Sequence, residues 1–63
     1  MLATRALDAL PERDRKLVLW KSDDMPIEEQ AAELGVSYEA AQRAGLRAVD
    51  RYRKTFEILR RNG

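Results

Sequence analysis

Three arginines, Arg43, Arg47 and Arg51, recur at four-residue steps in the C-terminal part of the chain, with Glu39 and Gln42 just ahead of them. Guanidinium groups at that spacing stand near one another on a helix and present forked donors to phosphate oxygens or base edges. Other chemistries have little to draw on. The 63 residues include no cysteine and no histidine, which removes the usual metal ligands, the default general base and the thiol nucleophile. No metal site and no cofactor is expected, and a domain this small has no room to enclose a substrate, so an enzyme is not expected. Binding is the chemistry that is left.

Charge is distributed unevenly. Residues 1–37 carry five basic and eight acidic side chains, net −3, whereas residues 38–63 carry seven basic and three acidic ones, net +4. One half attracts polyanions and the other repels them, so a total of only +1 still permits a fixed orientation on DNA. Spacing alone leaves a second reading open: the arginine stripe as a solvated helix face, and Glu39 as an acid favoured by the helix dipole.

These side chains need helices to hold them. Leu2, Ala3, Ala6, Leu7 and Leu10 have helical spacing, which predicts a first helix over 2–10. Pro11, Glu12 and Asp14 suit the first turn of a second helix running to about Lys21, with Leu17, Val18 and Trp20 or Lys21 inward. Ser22-Asp23-Asp24 is a polar break. A third helix opens at Pro26 with Glu28 and Glu29 at its positive end, and Ile27, Ala31 and Leu34 form its apolar face. Gly35 is the expected left-handed stop and Ser37 the cap of a fourth helix.

That fourth helix, over 38–61, would span roughly 36 Å. Tyr38, Ala41, Gly45, Ala48, Val49, Tyr52, Phe56 and Leu59 trace its apolar stripe. Gly45 costs about 1 kcal/mol there relative to alanine, which predicts either a close helix–helix approach or a kink. The expected architecture is all-α: a small three- to four-helix bundle in one domain, residues 1–63, containing a helix-turn-helix whose second helix is long. No apolar run reaches the ~20 residues of a membrane span and no signal-peptide core follows Met1, so a cytoplasmic protein without a membrane partner is expected.

The unit from Ile27 to Val49 carries the most information. Small alanines let two helices cross closely, glycine makes the turn without a Cβ penalty, and serine caps the second helix, whose first turns can then enter a major groove. The stretch LPERDRKLVLW followed by MPIEEQAAELGVSYEAAQRAGLRAVDRYR resembles the fourth conserved region of bacterial RNA polymerase sigma factors. The resemblance rests on Leu10, Pro11, Glu12 and Arg13, then Glu28, Glu29, Ala31, Leu34, Gly35, Val36 and Ser37, then Arg47 and Ala48. It covers roughly residues 7–53 and is most specific across Glu28–Ser37. A response-regulator DNA-binding domain shares the helix-turn-helix pattern, but the continuation RAVDRYR fits sigma factors better.

The resemblance implies binding to the −35 promoter element, docking on the flap of the polymerase β subunit and, in extracytoplasmic-function members, sequestration by an anti-sigma factor. It places Ser37, Tyr38, Glu39, Gln42, Arg43, Arg47 and Arg51 as the DNA-contacting set. Glu39, Gln42 and Arg43 lie near bases, and Ser37, Arg47 and Arg51 near phosphates. The sequence departs from the family at Gln30, usually aliphatic and expected here as a boundary residue or a hydrogen-bond partner of the next helix, at Ala41, usually β-branched, and at Ala44 and Gly45, usually larger. A helix trimmed this way reads a different sequence or has traded DNA contact for a protein partner. Trp20, Phe56 and Leu59 are the candidates for such a protein interface; otherwise Tyr52, Phe56 and Leu59 pack on Leu7, Leu10 and Leu17. A sigma factor also needs a domain for the −10 element, which 63 residues cannot hold.

Overall fold

Two prolines and one glycine divide the chain. Proline has no N–H to give to a helix interior, and glycine alone adopts the left-handed conformation without strain. The computed structural model describes residues 2–62 and has four helices: α1 (Leu2–Asp8), α2 (Glu12–Ser22), α3 (Ile27–Leu34) and α4 (Tyr38–Asn62). There is no strand among the described residues. This is the all-α helix-turn-helix architecture expected from the sequence.

The boundaries differ in detail. α1 stops at Asp8, two residues early, and Leu10 closes a tighter turn by donating its N–H to the Leu7 carbonyl at 3.1 Å. Pro11 and Pro26 stand immediately before α2 and α3 in extended conformation rather than inside the first turn. Their carbonyls accept the first bonds, Arg15 N–H to Pro11 at 3.0 Å and Gln30 N–H to Pro26 at 3.1 Å. With no polar side chain at these caps, Glu12, Asp14, Glu28 and Glu29 in the first turns supply the negative charge that the helix ends favour.

Both helix ends that precede a turn are closed in the same way. At α3, Gly35 (φ 67°) lets its own N–H reach the Ala32 carbonyl and the Val36 N–H reach that of Ala31. At α2, Asp24 takes the left-handed position (φ 56°), with Asp24 N–H on Lys21 and Met25 N–H on Trp20. The two bonds in each case are those of a Schellman closure. The polar break at 22–24 is therefore a defined turn that uses an aspartate where glycine is easier.

α4 is the spine. Each of the other helices packs against it, and its 25 residues match the 38 Å long axis of a molecule only 17 by 16 Å across. The centre is built from small side chains: Ala6, Ala41 and Ala48 are fully buried, Ala31 nearly so, and Leu17 is the one large side chain that is completely enclosed. Alanines bring helix axes together but remove little apolar area from water, so a large share of the core rests on Leu17 and Leu10.

The apolar stripe of α4 is real but not uniform. Ala41 and Ala48 are buried and Gly45, Val49, Tyr52, Phe56 and Leu59 half-buried, whereas Tyr38, expected to open the stripe, is half exposed. In α2, Val18 and Trp20 are half-buried and Lys21 is exposed. Gly45 does not serve a close approach: a Cβ built there meets nothing within 4 Å, and α4 runs through it as one helix. Gln30 is no boundary residue. It is 6% exposed and its Nε2 donates to the Met25 carbonyl at 2.8 Å, which ties α3 to the turn before it rather than to α4. No described helix is long and apolar enough to cross a membrane.

Candidate nucleic-acid interface

The start of α4 is fixed by Ser37, whose Oγ accepts the Ala40 N–H at 3.1 Å while its carbonyl accepts that of Ala41 at 2.9 Å. This is the N-cap expected from the turn, and it sets where the next two turns point. Tyr38, Glu39, Gln42, Arg43 and Arg47 are all exposed there. Leu46, 60% exposed, stands among them one turn past Gln42 and is an apolar member of the face that spacing did not single out.

The arginine stripe winds. Four residues turn an α-helix by about 400°, so each arginine is rotated about 40° past the one before it. Over two steps the drift carries Arg51 to the side where α2 packs. There its Nη1 donates to Asp14 Oδ2 at 2.7 Å, in the tightest ion pair among the described residues. Asp14 is 9% exposed, so the carboxylate is largely out of water. Arg51 thus lies at the groove between α2 and α4 with its charge already partnered.

That groove gathers more than the stripe. Arg43, Arg47 and Arg51 line it from α4, and Arg13 and Asp14 from the first turn of α2. None of Arg13, Arg43 and Arg47 has a carboxylate within 4.0 Å among the described residues. Arg13 and Asp14 were not marked by their own spacing. The signal that could have found them is the 40° drift, which points Arg51 at a neighbouring helix, together with the one acid of α2 that falls on the face of Leu17.

The protein-interface candidates do not form one patch. Lys21, at the C-terminal end of α2, borders a second groove with Gln42, Gly45 and Leu46, while Asp14, near the other end, meets Arg51. Trp20 precedes Lys21 at that end of α2. Phe56 and Leu59 lie beyond Arg51 at the opposite end, where the rings of Tyr52 and Phe56 stand 6.2 Å apart and tilted by 38°. Ile58 in the same stretch is 58% exposed.

A capped helix-turn-helix, with a polar and basic face on the second helix and a cationic groove beside it, is an arrangement suited to duplex DNA. No curated protein and no solved structure gives a match to the chain. The profile of one family does: Sigma-70, region 4, over residues 1–51. That span takes in α1, α2, α3 and α4 as far as Arg51, which is most of the molecule. The chain belongs to the sigma-70 region 4 family, whose members are DNA-binding helix-turn-helix domains of transcription initiation.

Proposed function

We propose that this domain reads the −35 element of a promoter and does so as the region 4 of an extracytoplasmic-function sigma factor. The observation that carries the reading is the exposed face of Glu39, Gln42, Arg43 and Arg47 directly after the Ser37 cap. In the major groove, Glu39 accepts from a cytosine amino group, Gln42 and Arg43 reach neighbouring base edges, and Tyr38 lies at the rim. Ser37 and Arg47 face the phosphates, the hydroxyl as a neutral donor and the guanidinium as a cation, whereas Arg51, expected beside them, is held by Asp14. The family kinship supports contact with RNA polymerase, for which the β flap is the proposed surface.

Selection from a random duplex library, followed by titration of the selected duplex and a scrambled copy, tests the reading. Arg13, Arg43 and Arg47, none paired with a carboxylate among the described residues, supply about three cations, so log affinity should fall against log salt with a slope of about −2.7. Arg47→Ala should flatten it by about 0.9. Equal affinity for selected and scrambled duplexes would overturn promoter reading, and binding indifferent to salt would overturn DNA contact altogether.

A second role rests on a different observation. Ile58, Tyr52, Phe56 and Leu59 give the end of α4 an incompletely covered apolar surface, which suits a protein partner such as an anti-sigma factor. Substituting Phe56 and Leu59 by alanine should then remove partner capture while leaving duplex affinity intact.

A further inference from the structure

The cationic groove between α2 and α4 already contains one anion. Its single acidic lining residue, Asp14, holds Arg51 at 2.7 Å. We propose that Asp14 is an internal stand-in for phosphate that withholds Arg51 from the DNA backbone and so sets how many cations the domain brings to a duplex. The inference rests on the DNA-binding reading and sharpens it.

Burial of the carboxylate keeps the pair closed. Asp14 is 9% exposed, and a carboxylate so far from water loses its main source of stabilisation if the arginine leaves. Arg51 itself is more than half exposed, with a side-chain accessibility of 59%. Its remaining N–H groups can still touch a phosphate oxygen, but its charge is cancelled at contact distance. A phosphate brought up to it meets the Asp14 charge as well. Such a contact releases little counterion, and counterion release is what makes phosphate binding strong at low salt. Arg13, Arg43 and Arg47, which border the same groove without a carboxylate partner among the described residues, keep their full charge.

Asp14→Asn removes the anion and leaves a side chain of the same shape that can still hydrogen-bond. One cation returned to the duplex contact steepens the salt slope by about 0.9, which amounts to roughly 15-fold tighter binding near 50 mM salt and roughly fourfold near 200 mM. The experiment is an anisotropy titration of the full chain with a labelled mixed-sequence duplex at both salt concentrations, with folding checked by circular dichroism. With Arg51→Ala added to Asp14→Asn, both charges of the pair are gone and that gain should disappear. Glu33→Gln, which removes an exposed acid that does not line the groove, should give no comparable gain. Weaker binding by a folded Asp14→Asn chain would overturn the proposal and make the pair a plain structural strut. A gain over the native chain that survives Arg51→Ala, or an equal gain from Glu33→Gln, would also overturn it, because the effect would then not come from releasing Arg51. If the native chain and all variants fail to bind duplex, the DNA-binding reading itself falls and this inference with it.

Discussion

Replacing Gly45 by alanine should stabilise the domain. Gly45 lies inside α4, twenty-five residues long, and its φ is not positive. A Cβ added there meets no atom within 4 Å. The backbone therefore needs nothing that only glycine can give. Alanine removes conformational freedom from the unfolded chain and favours the helix, together about 1 kcal/mol. An unfolding entropy of about 2.1 cal/mol/K per residue, taken over the chain, gives about 0.13 kcal/mol/K, so the midpoint should rise by about 8 °C. Thermal and urea denaturation followed by circular dichroism measure both quantities. An unchanged or lowered midpoint would refute the reasoning, because it would mean that the methyl group meets something or that α4 bends at this point.

Two further substitutions probe the frame that holds the interface. Asp24→Gly should add about 0.5–1 kcal/mol, since it relieves a left-handed residue at the α2 closure; a loss of stability in urea would show that the aspartate side chain contributes more than its backbone strain costs. Leu17→Ala should remove about 2–5 kcal/mol. That is comparable to the whole stability of a small domain, so loss of the cooperative melting transition is the expected outcome and a midpoint within a few degrees of the native one the contrary.

Much of the frame was legible because it depends on local chemistry. Gly35 and Ser37 act within a few residues of themselves, and their conformations follow from a missing Cβ and a short hydroxyl. The apolar stripe of α4 was visible in its period, apart from Tyr38, which precedes the region that α2 and α3 cover. What sequence could not give was relative placement. Gly45 looked like a close-packing residue because it lies on the stripe, yet the neighbouring helices leave space above it. Gln30 looked marginal because it is polar, but one backbone carbonyl is enough to satisfy it in the interior. Asp14 looked like a dipole acid, and only the packing of α2 on α4 brings it to Arg51, thirty-seven residues away. The exposed polar residues from Glu39 to Arg47 were readable from helix geometry together with the family resemblance, whereas the groove behind them needed two helices at once.

The central claim is that duplex DNA lands on the first turns of α4 and on the adjoining groove. Amide chemical-shift mapping by nuclear magnetic resonance, with the selected duplex titrated into isotope-labelled protein, tests that placement residue by residue. Shifts should concentrate at Ser37–Arg47 and at Arg13, and leave Phe56–Leu59 unmoved. Shifts confined to the end of α4, or none at all on saturation, would contradict it.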